Sequence, residues 1–144
     1  MGTKGFNLTD ATPVAAREDS GQLVTVRDLD GSPMTYTAGE VERPVTMLVA
    51  GTYSDVYRKT ELEQQRRRVG KRQTKATPED ILANVIELEA ACILAWDGFF
   101  DNGAPLALTK EHAIAVLSAA KWIREQVEEA MNDHAGFFAS NATR

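Results

Sequence analysis

The side chains in this 144-residue sequence that could do covalent or acid–base chemistry are few and scattered. There is one cysteine, Cys92, and two histidines, His112 and His134. None has partner spacing, whereas a zinc-type centre needs three or four converging ligands. Cys92 falls on the apolar face of a central helical pattern, where a free thiol is packing; a nucleophile requires a base and a polar pocket beside it. His112 belongs to the first turn of one predicted helix and His134 to the end of another, where a positive charge suits the dipole. Glu79 and Asp80 are explained by helix initiation, and Glu125, Glu128, Glu129 and Asp133 by a solvated helix face. No carboxylate pair is forced into an apolar pocket, the condition that separates two pKa values for acid–base work. The sequence contains no phosphate-binding loop, dinucleotide fingerprint or Gly-x-Ser-x-Gly elbow. These residues imply no enzyme, no metal, no cofactor and no small-molecule substrate.

Two features suit binding instead. Residues 58–75 hold eight Lys/Arg against two Glu, while 78–133 hold eleven Asp/Glu against three Lys/Arg, within a net charge of −5. Such asymmetry implies internal pairing or a charged partner. The run Arg66, Arg67, Arg68, Lys71, Arg72, Lys75 could neutralise phosphates, but no aromatics interleave it and no helix-turn-helix surrounds it. Nucleic acid is therefore the alternative partner and protein the expected one. Aromatic residues dominate both cores and binding hot spots. Trp96 and Trp122 read mainly as core, with Trp122 kept as a contact residue, and Phe99, Phe100, Phe137 and Phe138 read as contact residues.

The elements that must position these groups follow from periodicity. Residues 1–20 are polar without sustained period and read as a flexible tail. From 21 to 51, the β-rich runs 23–27, 34–37 and 45–50 are separated by turn residues and predict a three-stranded antiparallel meander. A basic helix over 54–76 follows, capped by Ser54, with apolar content too sparse to bury a broad face. Thr77-Pro78-Glu79-Asp80 starts the core helix, whose apolar residues recur from Ile81 to Trp96. Asp97 to Leu108 is a loop or small hairpin, and Thr109 caps a last helical region to about 134, with room for a break near 118–121. Residues 139–144 read as disordered. The expected fold is α+β: a short N-terminal antiparallel sheet of about three strands and a bundle of three to four helices in one domain, 21–138. Apolar runs are far shorter than the roughly 18 residues that cross a bilayer, and nothing reads as a secretory signal, so the expectation is a soluble, intracellular protein. The sequons at Asn7 and Asn141 are then chance.

Three stretches, in this order, resemble the tail assembly chaperones of long-tailed bacteriophages: the strand Pro44 to Gly51 running into Thr52-Tyr53-Ser54-Asp55-Val56-Tyr57-Arg58 and a basic helix; Trp96-Asp97-Gly98-Phe99-Phe100-Asp101-Asn102-Gly103-Ala104-Pro105 to Thr109; and Lys121-Trp122-Ile123-Arg124-Glu125-Gln126-Val127 with a Phe near the end. Many members carry Pro before the closing Trp, where this chain has Lys121. The resemblance implies a non-catalytic protein of the host cell cytoplasm, absent from the mature virion. It would bind the tape-measure protein, keep it soluble and help recruit tail-tube subunits, with self-association left open. The alternatives are a small nucleic-acid-associated phage protein using 66–75, or a structural tail or head-completion component.

Overall fold

The computed structural model describes residues 5–70 and 76–142. The fold is α+β, with a three-stranded antiparallel sheet and several helices. In chain order the elements are α1 (Leu8–Ser20), β1 (Gln22–Thr25), β2 (Thr35–Ala38), β3 (Val41–Pro44), β4 (Thr46–Val49), α2 (Asp55–Gly70) and α3 (Pro78–Cys92). Then come β5 (Ile93–Asp97), β6 (Phe100–Asp101), β7 (Ala104–Pro105), α4 (Lys110–Ala119), α5 (Lys121–Asn132) and α6 (His134–Ala142).

The sheet is not the expected meander. Its order is β1-β4-β5, so the third strand comes from the middle of the chain, while β2 and β3 form a separate hairpin. The residues assigned to a continuous helix as far as Trp96 divide at Cys92, and Ile93 onward pairs with β4. The register explains why the helical reading was attractive. Val49 pairs with Ile93 and Met47 with Trp96, so a bulge lets residues three apart on β5 share the core face. That spacing copies a helix, and a short apolar run does not separate the two by period. Asn102 and Gly103, both at positive φ, turn the β6–β7 hairpin.

The start of α3 forms as its residues dictate. Thr77 Oγ1 accepts from the Asp80 amide at 3.1 Å and Asp80 Oδ2 accepts from the Thr77 amide at 3.2 Å, closing a capping box with Pro78 at the first turn. Ser54 accepts from the Tyr57 amide at 3.3 Å at the head of α2. Ala120, at φ −120° and ψ 84°, separates α4 from α5 without a Gly or Pro. The core joins Val26, Met47 and Val49 of the sheet side to Ile86, Leu117, Val127 and Met131 of the helices.

Residues 8–20 are helical, against the expectation of a flexible tail. Its largely polar composition and Pro13 hide this helix from a periodicity argument, and tertiary polar contacts hold it. Glu18 is buried, with Oε1 accepting from the Tyr53 amide at 2.8 Å and Oε2 paired with the His134 ring. Asp19 accepts from the Asp55 amide at 2.8 Å, at the positive end of α2. Gly51 makes this possible, since a Cβ there would lie 1.9 Å from Glu18 Oε1.

The far end also differs from expectation. The chain stays helical to Ala142, and only Thr143 and Arg144 of the tail expected to be disordered lie outside the described residues. The helix expected to 76 is described to Gly70, so the 71–75 part of the basic run lies outside as well. Phe137, read as a contact residue, is 0% exposed and belongs to the core, because α6 folds back and turns it inward. Phe138 is 56% exposed with the Arg17 guanidinium 4.6 Å from its ring centre. Phe137→Ala should therefore cost about 3–5 kcal/mol in urea unfolding, and Phe138→Ala about 1 kcal/mol or less, the scale of an exposed cation–π contact. Equal losses would show that the burial of Phe137 does not carry the end of the chain.

Candidate protein-binding site

Half of the residues of helix α2 are charged, and beyond Val56 and Tyr57, which pack on the core, its attachment to α3 is by polar contacts. Gln64 is its one buried residue, donating to the Asn84 carbonyl at 2.9 Å and to Glu87 Oε1 at 2.8 Å. The same carboxylate pairs with Arg67 of α2 and, through Oε2, with Lys110 Nζ of α4 at 3.0 Å. Burial alone would raise the Glu87 carboxyl. The bonds from Gln64, Lys110 and Arg67 outweigh it and bring the carboxyl down to about 2, so one permanently ionised group ties three helices together.

Beside this anchor lies a groove of about 480 Å3 lined by Leu82, Ala83, Ile86 and Ile114, with Arg67, Glu79 and Glu87 on its rims. The first turns of α3 are uncovered: Ile81 is 56%, Leu82 47% and Val85 37% exposed. The sequence placed all three in the core. They are not, because α2 offers too little apolar surface to cover so broad a stripe, and only the second half of α3 is buried under the sheet and α5. That mismatch, a wide stripe beside a polar helix, is the signal by which Leu82, Ile86 and Ile114 could have been found.

The residues singled out by type fall elsewhere or divide. Phe99 is half-buried and stacks on Trp96 at 4.4 Å; Phe100 is exposed, 5.5 Å from Tyr36. They share a cleft of about 350 Å3 with Pro105 that has no residue in common with the groove. The polar groups of that cleft are already used, Trp96 Nε1 donating to the Leu106 carbonyl at 2.9 Å and the Tyr36 hydroxyl to Asp97 at 2.7 Å. Trp122 is half-buried against the core, with its indole N–H buried and lacking an acceptor among the described residues. Arg66 and Arg68 are exposed, and Arg67 is engaged by Glu87.

Groups that could do chemistry are not assembled at the groove. Among the described residues no cluster of His, Cys, Asp and Glu could hold a metal, and no helix is long and apolar enough to cross a membrane. Burial, helped by Glu89, pushes the Cys92 thiol up to about 12, far from a thiolate at neutral pH. Comparison of the chain with models of known protein families, with curated proteins and with solved structures returned no match.

A second carboxylate of α3, on the side facing α5, is a liability to the fold. Glu89, turned toward α5, is 2% exposed, and neither of its oxygens has a hydrogen-bond partner among the described residues. Burial raises its pKa to about 7; Arg124 at 3.6 Å opposes the shift and Glu128 adds to it. The folded state thus prefers the protonated acid. Its contribution is complete below the ordinary value of 4.5 and is lost as the pH rises through about 7. The loss is on the order of 3 kcal/mol. Glu89→Gln should stabilise the protein by that order at pH 8 and by little at pH 4. Urea midpoints of the two proteins across that range check it, and a pH-independent difference would refute it.

Proposed function

We propose that this chain is a non-catalytic assembly chaperone of the kind that serves the tails of long-tailed bacteriophages. It holds the tape-measure protein soluble in the host cytoplasm, helps recruit tail-tube subunits and does not remain in the virion. Two independent lines support this. The first is the ordered resemblance through Pro44–Arg58, Trp96–Thr109 and Lys121–Val127, with a Phe near the end, to that family. The second, which carries the reading, is the uncovered apolar groove along α3, with Ile81, Leu82 and Val85 exposed beside it. Exposed apolar side chains arranged along a helix mark a partner surface, and a helix-rich client offers the matching face.

A second reading, nucleic-acid binding, is favoured by one observation, the exposure of Arg66 and Arg68. Salt separates the two, because phosphate contacts weaken steeply with ionic strength and apolar contacts do not.

Co-expression with the tape-measure protein, followed by affinity capture in low and high salt, tests the proposal. The expected result is a soluble large protein retained in high salt. Leu82→Asp, at a half-exposed position, should keep the far-UV spectrum and weaken capture at least about tenfold, the loss expected when one buried Leu contact of roughly 1.5–3 kcal/mol is removed. Recovery of nucleic acid alone, released by salt, would overturn the chaperone reading.

A further inference from the structure

We infer that the outer edge of β1 pairs antiparallel with the β1 edge of a second copy of this chain, about a two-fold axis at Val24. Such pairing is independent of what fills the α3 groove.

The hydrogen bonds of the main chain identify the open groups. The Val26 amide donates to the Val45 carbonyl at 2.9 Å, continuing the β1–β4 register. Bonding residues alternate along an antiparallel ladder, so Gln22 and Val24 also bond toward β4, while Leu23, Thr25 and Arg27 turn their amides and carbonyls away from it. Arg27 is already taken: the Gln126 side chain accepts from its amide at 2.7 Å and donates to its carbonyl at 2.8 Å, as a neighbouring strand would. Leu23 and Thr25 have no such partner among the described residues, and they open on a cleft of about 260 Å3 between β1 and the flank of α5. Their amides and carbonyls are left to water or to another strand. β1 carries neither charge nor Pro against such pairing, whereas β3 of the separate hairpin carries Glu42, Arg43 and Pro44.

A second copy fits this edge because the edge is complementary to its own reverse. Turned about Val24, it sets Leu23 opposite Thr25 of the second copy and Thr25 opposite Leu23, so every open amide and carbonyl of both is paired. The run stops on each side where Gln126 blocks Arg27. The ends of the cleft agree with the reversal. Arg27 stands at one end, loosely paired with Glu129 at 3.7 Å, and Asp133 at the other, where it and Gln22 adjoin Gly136. Reversal brings the Arg27 of each copy toward the Asp133 of the other, a contact between opposite charges. On the outer face Leu23, 66% exposed, lies beside Leu48 in the register, and Leu48 and Leu94 meet near Gly21. Pairing covers the free side of Leu23, and the resulting interface is isologous and closed.

Sedimentation of the full chain over a range of concentrations should show a monomer–dimer equilibrium that Leu82→Asp leaves unchanged. Thr25→Pro removes an amide that faces away from β4, so it should keep the far-UV spectrum and weaken the dimer at least about tenfold, the scale of two lost main-chain hydrogen bonds. Cross-linking reads the register and keeps the inference testable if that variant fails to fold. Directly opposed residues of such a pair lie about 5.5 Å apart at Cα, within reach of a disulfide, and diagonal ones about 7–8 Å apart, outside it. A mixture of Leu23→Cys and Thr25→Cys chains should therefore oxidise to a linked dimer at least about tenfold faster than either variant alone. Cys92, 0% exposed, takes no part. A dimer that Thr25→Pro leaves intact, or cross-linking as fast in each variant alone as in the mixture, would overturn the inference. So would a dimer that Leu82→Asp dissolves, which places the contact at the α3 groove, and a monomer at every concentration, which leaves the β1 edge to a strand of another protein.

Discussion

Glu87 receives Gln64 and Arg67 from α2 and Lys110 from α4, and this one carboxylate holds the later turns of a helix whose apolar contacts with the core come from Val56 and Tyr57 near its start. A charge-dense helix gains little by burial, so its position has to come from directional contacts. The consequence is a shallow seat: α2 touches α3 at Gln64 and Arg67 without covering Ile81, Leu82 or Val85. The uncovered groove is therefore a product of that constraint. A more apolar α2 would close the groove and erase the surface.

The opposite end of α2 is governed by the same kind of chemistry. Asp19 caps it from a neighbouring helix, and Glu18 reaches past Gly51 to the Tyr53 amide and the His134 ring, which stacks on Tyr53 at 3.9 Å. Here carboxylates supplied by α1 satisfy exposed helix-start and loop amides that would otherwise face solvent or go unpaired. The N-terminal helix, the loop after β4 and the C-terminal helix become one unit, and Phe137 is buried next to it, 2.9 Å from where a Gly51 Cβ would be.

Glu89 stands in contrast. Two residues from Glu87 and on another face of the same helix, it is more deeply buried and has Arg124 at 3.6 Å in place of hydrogen bonds. One carboxyl is pulled down to about 2 by the donors that reach its oxygens, and the other, more deeply buried and without them, is pushed up to about 7. An α3 carrying both is anchored at one side and strained at the other.

The sequence by itself determined what local rules govern. Thr77-Pro78-Glu79-Asp80 starts a helix wherever it is placed, Asn102-Gly103 turns a hairpin, and the α+β class follows from the mixture of periods. The poverty of apolar residues in α2 was equally legible. Tertiary structure decided the rest, because each of these features depended on a partner distant in sequence. The strand identity of Ile93 to Asp97 required β4 beside it and a bulge that imitates helical spacing. The helix at 8–20 required Gly51, Tyr53 and His134 to receive Glu18, and Phe137 became core only when α6 folded back. The binding surface itself was a subtraction: the apolar stripe of α3 could be read from spacing, but which of its residues remain uncovered depended on what packs against them.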